Sequence, residues 1–486
     1  MTRVQSNTLP SMTRWDEDRF QEVRRSVLAA WPTGSEVDLD EAAAYHREMA
    51  PAKNTAWRLR QARAQGTTLV QPRAGVADVE QQIALLQRLR VAGADLLPTT
   101  VDSYTRECRY EDAARGLAQS REAGRSLLNG FPAVNYGVRT CRRLVEAVDA
   151  PLFARTAAPD CRLTHEIMYA GGYSSCTAGP IVFSLGYAKD YPLANAIEAW
   201  QYSYRMMGAY HERGVTLSVE HYLPISTLVP HATSMACALL DSLIAAAQGV
   251  RDISLGFGQQ CHLVQDAAAL RAYPALGRHY LHTFGFTDVE LSTVMSQWMG
   301  GFPSDEGQAF GVICMAALAG YLGGVTYMIS KSPHEAAGIP TPEANMHGVS
   351  ASKMVLRMLA DQKLAPIPEI AAEQAILEAE TRAIVDRALE LGEGDAALAA
   401  IRAIEAGVID VPFSPHRSNA NQALPARDWR GAVRLAQVGG VPIPKEIREH
   451  HQAELARRTA GRAERQPWEL LLADVNAISE GMLLPD

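Results

Sequence analysis

From about residue 66 the chain repeats one unit: a short apolar run, a turn, then a segment with apolar positions at helical spacing. The runs predict strands at 67–72, 94–99, 125–130, 151–155, 215–220, 252–257, 290–297 and 325–331. The intervening spacing predicts helices such as Val79 to Ala92, Glu111 to Ala123 and Leu193 to Arg213. Strands alternating with helices eight times is the pattern of an α/β, TIM-type (β/α)8 barrel. A doubly wound open sheet shows the same alternation, and periodicity alone does not separate the two.

The flanks read differently. Residues 1–65 form a polar, helical segment with amphipathic stretches at Trp15 to Trp31 and Asp38 to Glu48. The barrel is expected over 66–360, and 361–486 as a C-terminal, mainly helical layer built on Glu369 to Glu390 and a second helix ending at Ala406. One interval breaks the rhythm. From Gly171 to Tyr187 the chain is polar and glycine-rich, so 171–190 is read as an insertion loop at the substrate face of the barrel.

Composition narrows the class. At 486 residues, 47% hydrophobic and 21% charged, this is a globular protein with a sizeable core. A formal charge of −8 and no long basic stripe argue against nucleic acid as partner. No stretch of about 18 apolar residues escapes a charge or breaker, and the first residues lack a signal-peptide core, so a cytoplasmic protein without a membrane span is expected. Seven scattered cysteines without a Cys-x-x-Cys pair read as reduced thiols.

Candidate chemistry gathers at strand ends. Arg73 closes Thr-Thr-Leu-Val-Gln-Pro-Arg, Arg155 closes Pro-Leu-Phe-Ala-Arg, and Arg106 follows Asp-Leu-Leu-Pro-Thr-Thr within one short loop. Strand tips of a parallel barrel face the ligand pocket. A guanidinium holds a carboxylate bidentately and keeps its charge, so three together point to a substrate with more than one carboxylate. Nucleotide-binding loops, His-Glu-x-x-His and Gly-x-Ser-x-Gly are absent, and no histidine set has metal spacing. Four unusual words remain: Gln71-Pro-Arg-Ala-Gly75, Leu127-Leu-Asn-Gly-Phe-Pro132, Gln297-Trp-Met-Gly-Gly-Phe-Pro303 and Lys331-Ser-Pro-His-Glu-Ala-Ala-Gly-Ile-Pro340. They put glycine or proline where backbone approaches a ligand, and would suit a large cofactor bearing amides and hydroxyls.

These words, with Trp31-Pro-Thr-Gly, Gly124-Arg-Ser-Leu-Leu-Asn-Gly-Phe-Pro and Val134-Asn-Tyr-Gly-Val, resemble in order the large (epsilon) subunit of adenosylcobalamin-dependent glutamate mutase, or methylaspartate mutase. The likeness runs from about Trp15 through the C-terminal segment. It implies an isomerase, a β/α barrel, adenosylcobalamin as cofactor, and a radical rearrangement of L-glutamate to 3-methylaspartate. A small cobalamin-binding partner subunit, carrying the Asp-x-His-x-x-Gly motif this chain lacks, would hold cobalt. The resemblance further implies a homodimer of this chain within a heterotetramer. Substrate positions then match Arg73, Arg106 and Arg155; cofactor positions match Gly75, Asn129, Phe302, Lys331, Glu335 and Ile339.

The departures lie around the substrate. The family's histidine after the third arginine is Thr156 here, its ammonium-facing glutamate aligns with Thr177, one substrate tyrosine aligns with Phe183, and a cofactor-side proline aligns with Gly186; a second tyrosine is kept as Tyr187. The carboxylate-binding set is complete, whereas the amino-group pocket is not, unless Glu220 at the end of the fifth predicted strand serves it. Two other readings stay open: the same rearrangement on a diacid without the amino group, such as 2-oxoglutarate, and a cofactor-free barrel lyase or aldolase using Lys331 as a Schiff-base lysine.

Overall fold

The computed structural model describes residues 9–338, 340–362, 364–460 and 465–485. Eight parallel strands, β1 (Leu69–Gln71), β2 (Leu97–Thr100), β3 (Leu152–Arg155), β4 (Ser175–Thr177), β5 (Ser218–His221), β6 (Asp252–Gly258), β7 (Glu290–Ser296) and β8 (Tyr327–Ile329), lie in the order β1-β8-β7-β6-β5-β4-β3-β2. Helices run between them, and the sheet curls into a nearly closed TIM-type barrel. The seam between β1 and β2 carries no ladder. It is bridged by the Asp95 N–H donating to Val70 O at 2.9 Å, Val70 N–H donating to the Asp95 carboxylate at 2.9 Å, and Thr100 N–H donating to Ala74 O at 2.7 Å.

Strand alternation decides what faces where. Val70, Leu152, Val219, Ile253, Leu255, Met295 and Met328 point outward into the large apolar cluster of the surrounding helices. Leu69, Phe153, Val294, Tyr327 and Ile329 point inward. Most of the remaining inward positions are polar: Gln71, Arg155, Ser175, Thr177, Ser218, Glu220, Asp252 and Ser254 are all buried.

The N-terminal helical segment plugs the barrel floor. Helix Thr55–Gln65 starts where the Asn54 side chain accepts from Trp57 N–H at 3.0 Å and stops at Gly66 (φ 62°). Its Leu59 and Ala62 complete the interior cluster of Leu69, Phe153 and Tyr327. Thr55 N–H donates to Ser174 Oγ at 2.9 Å, and Arg63 pairs with Glu290 at 2.6 Å. With the floor filled by side chains, open access lies at the strands' C-terminal ends.

Two expectations need correction. Residues 125–130 form no strand: only the bridge Val101–Phe131 joins this segment to the sheet. Its backbone groups are taken by turn chemistry, with Ser126 Oγ donating to Leu128 O at 2.7 Å and Asn129 Oδ1 accepting from Ser103 N–H at 2.9 Å. Conversely, 171–190 is not an insertion loop. It holds β4 and helix Pro180–Tyr187, and residues 171–186 are buried throughout. The glycines there serve packing: a Cβ on Gly171 would lie 2.2 Å from Cys141 Cβ, and Gly172 takes φ 92°.

Beyond the barrel, helices Pro368–Leu391 and Ala396–Glu405 pack against barrel helices Leu263–Thr283 and His231–Gln248. An antiparallel hairpin, β9 (Leu424–Arg427) with β10 (Val433–Gln437), precedes helices Lys445–Thr459 and Pro467–Ala477. The hairpin is held by buried ion pairs, Arg434–Glu373 at 2.7 Å and Arg458–Asp474 at 2.7 Å.

Because Leu59 fills the barrel floor with no exposure, Leu59→Ala should cost about 2–5 kcal/mol of stability. The denaturant midpoint checks this; an unchanged midpoint would mean that the floor is not a packed plug.

Candidate active site

The three arginines are brought to one end of the barrel. Arg155 ends β3 directly beside Thr100 at the end of β2, and Arg106 lies in the short helix Ser103–Arg106 just beyond that strand. Asp102 caps the helix, its carboxylate accepting from Thr105 N–H at 3.1 Å. Arg73 stands two residues past β1. All three thus stand at the C-terminal ends of β1, β2 and β3, and Tyr187 lies near enough to feel the charge of each. Burial lowers the Arg106 pKa, Asp102 opposes that, and Arg73 reinforces it, as expected for cations forced together.

Arg155 is the anchor of the set. It is 5% exposed and donates to Gln71 Oε1 at 2.5 Å and to Tyr222 Oη at 2.7 Å. Its Nη1 also pairs with Glu220 Oε1 at 3.0 Å. Burial works against its charge, but Tyr222 and Glu220 more than offset it and hold its pKa above the ordinary value. Glu220, with no exposed surface, also accepts from Tyr327 Oη at 2.7 Å and from the Thr177 hydroxyl. Two donors in the same region, Gln71 Nε2 and Arg106 Nε, are buried without a hydrogen-bond partner. Unpartnered donors beside surplus positive charge are what a polycarboxylate would satisfy.

The wall opposite is helix Pro180–Tyr187. Asp241 secures its start, accepting from Ile181 N–H at 3.0 Å and Val182 N–H at 3.1 Å. Gly179 is required there, since a Cβ would lie 2.4 Å from Asp241 Oδ2. The helix presents Phe183 and the half-exposed Tyr187 with ring centroids 5.3 Å apart. Gly186 packs beneath them, where a Cβ would meet Pro224 at 3.0 Å. Thr156 is buried and shares a 3.0 Å hydrogen bond with His165 Nε2, whose Nδ1 lies 3.0 Å from Ser203 Oγ.

The positions expected to face a cofactor ring the same end. Lys331, 6% exposed, donates to Glu335 at 2.5 Å and stands 6.0 Å from the Phe302 ring centroid. Burial lowers its pKa, Glu335 opposes and Arg73 reinforces the shift, which ties Lys331 to the arginine cluster. Gly75 fits between strands because a Cβ would lie 2.5 Å from Thr100 O. Asn129 is exposed and holds the Ser103 backbone. Ile339 lies outside the described residues. Among the described residues, no group of three or more His, Cys, Asp or Glu side chains is placed to hold a metal, and no helix is long and apolar enough to cross a membrane.

Reading the sequence missed Gln71, Tyr222 and Tyr327 as partners of the ion pair, and His165, His221 and Asp241 behind it. The strand register was the signal: Gln71, Glu220 and Tyr327 occupy inward positions once the ladder is known. His221 is buried between Tyr204 Oη and Ser242 Oγ, each 2.9 Å away.

The family model described as methylaspartate mutase E chain matches residues 49–485. The chain is 47% identical over 471 residues to the glutamate mutase epsilon subunit of Desulfitobacterium hafniense, covering 96% of this chain and 97% of that one. It is 43% identical over 470 residues to the epsilon subunit of Treponema denticola, with 96% and 97% covered. It is likewise 43% identical over 473 residues to that of Halobacterium salinarum, with 97% and 98% covered.

Two predictions follow from the geometry. Arg106→Ala should lower kcat/KM roughly two to four orders of magnitude with the fold intact, as expected for about 3–5 kcal/mol. Arg155→Ala should lower the thermal midpoint as well, because Glu220 loses its buried counter-charge. A variant of either arginine with near-normal kcat/KM contradicts the clamp.

The second concerns pH. Burial depresses both His165 and His221 to about 3. Their unfolded forms take protons near 6.5, so the unfolded state binds more protons below that value. Their stabilisation is present above pH 6.5 and is lost as pH falls toward about 3. Asp241 acts oppositely: burial raises it from 3.8 to about 8, so its contribution is present below 3.8 and lost as pH rises through about 8. Comparing wild type with His221→Gln isolates the histidine. The difference in stability between pH 7 and pH 5 should shrink by about 2 kcal/mol in the variant; identical pH profiles contradict this.

Proposed function

The chain belongs to the methylaspartate mutase E chain family, and on that premise we propose that it catalyses the adenosylcobalamin-dependent interconversion of L-glutamate and 3-methylaspartate. It is the catalytic, mutase-type subunit of a multi-subunit enzyme, as its relatives' description as epsilon subunits implies. The observation that carries the proposal is the placing of Arg73, Arg106 and Arg155 at the C-terminal ends of β1, β2 and β3 above a filled barrel floor.

The residues at the mouth fit a large polar cofactor. Gln259 Nε2 and Gln260 Oε1, just beyond β6, and Ser226 Oγ, in the segment after β5, are buried there without partners. Gly75, Asn129, Gly186, Phe302, Lys331, Glu335 and, outside the described residues, Ile339 are the positions proposed to hold adenosylcobalamin. When bound, that group supplies the carbon radical that takes a hydrogen atom from substrate and returns it. The partner is proposed to be a small cobalamin-binding subunit that grips the metal, since this chain lacks the Asp-x-His-x-x-Gly motif.

What remains for this chain is positioning. Arginines hold both carboxylates without exchanging protons, which suits a rearrangement that needs no acid or base. Gln71, Tyr222 and Glu220 fix Arg155, so one end of the substrate has a rigid reference. The plugged floor keeps water from reaching reactive fragments from below. Tyr187, half exposed at the rim, and buried Phe183 and Thr156 shape the wall.

The test combines the chain with a cobalamin-binding subunit and adenosylcobalamin. L-Glutamate and 3-methylaspartate should interconvert, and the chain alone should turn over neither. Turnover of a diacid with cobalamin rigorously excluded overturns the reading in favour of a lyase.

A further inference from the structure

We propose that Glu220 binds the ammonium group of the substrate, so that selection for an amino acid over a plain diacid resides on β5; this rests on the glutamate mutase reading above. The need is electrostatic. An ammonium enclosed near three guanidinium groups is repelled by each, and a buried charge without a counter-ion costs several kcal/mol. A carboxylate must stand inside the barrel, close to the arginines and with an acceptor site to spare.

Asp102, Glu335 and Glu220 are the carboxylates tied to Arg106, Lys331 and Arg155 at this end of the barrel. Asp102 is occupied by its own helix, with Oδ1 accepting from Thr105 N–H and Oδ2 from the Thr105 hydroxyl. Glu335 is committed to Lys331. Glu220 differs from both. Its neighbours come from three strands, Arg155 on β3, Thr177 on β4 and Tyr327 on β8. Strands β3 and β8 stand on opposite sides of β5 in the sheet order, so a group touching both reaches across the barrel interior.

Register places the head group further. Thr177 and Glu220 are direct partners across the β4–β5 ladder, and the Thr177 hydroxyl donates to Glu220 Oε1. The carboxylate therefore covers the inward tip of β4, where the neutral Thr177 offers no charge of its own. Arg155 and Thr177 share Oε1, and Tyr327 uses Oε2. A carboxylate presents about four acceptor sites, which leaves one on Oε2 for a further donor. An ammonium there would lie on the same carboxylate that pairs with Arg155.

A purely structural role for Glu220, neutralising Arg155, makes a different prediction. It would affect every diacid alike, whereas an ammonium contact affects only amines. Binding of L-glutamate and of glutarate, the same diacid without nitrogen, is measured by calorimetry on the assembled two-subunit complex. Wild type should favour L-glutamate over glutarate at least tenfold. Glu220→Gln should abolish that preference, bringing the two affinities within about twofold of each other, whatever the loss of the Arg155 pairing does to both acids in common. Equal weakening of both acids, or a preference that survives in the variant, overturns the assignment. So does a wild type without preference, whether or not the variant folds. Binding is read apart from turnover, so a wild type that prefers L-glutamate but forms no 3-methylaspartate supports Glu220 and rejects the proposed reaction instead.

Discussion

A fully buried arginine has to be neutralised, and the Arg155–Glu220 pair is the constraint on which the rest of this site depends. Taking two charges out of water is costly unless both are paired and hydrogen-bonded. Here the pair is hydrogen-bonded by Gln71, Tyr222, Tyr327 and Thr177, drawn from β1, β4 and β8 and from the segment after β5. Such a network ties distant strands together at their C-terminal ends. Any loosening of the barrel exposes an unpaired charge, so the fold that buries Arg155 is also the fold that holds its geometry.

The second guanidinium pair has a different character. Arg73 and Arg106 are only partly buried, lack such a ring of partners, and repel each other. That surplus charge is a stored preference for an anion. In the proposed reading, one end of a diacid would meet a rigid, already compensated group, and the other would meet cations that are stabilised only once it arrives. The floor plug and the Asp241-anchored helix Pro180–Tyr187 close the cavity around this arrangement.

Much of this was legible in the sequence. Strands β1, β3, β5, β6, β7 and β8 lie within predicted apolar runs or at their edges, because outward residues such as Val219 and Ile253 are strongly apolar. Arg73 and Arg155 could be read as strand-tip cations for the same reason. Strand β4 could not, since its two inward residues are Ser175 and Thr177 and only Cys176 meets the helices. The run at 125–130 was misread as a strand because Leu127-Leu128 mimics a short apolar core whose neighbours are in fact turn formers. Glu220 stood in plain view at the end of a strand, yet its partners required the register. Thr156 and Thr177 read as losses from the sequence, whereas in space His165 backs the first and Glu220 covers the second.

The most direct measurement is a crystal structure of the assembled enzyme with L-glutamate bound. Both substrate carboxylates should lie within hydrogen-bonding distance of the set Arg73, Arg106 and Arg155 at the C-terminal end of the barrel, beside Tyr187. A diacid bound away from these arginines, or held by only one of them, would contradict the account.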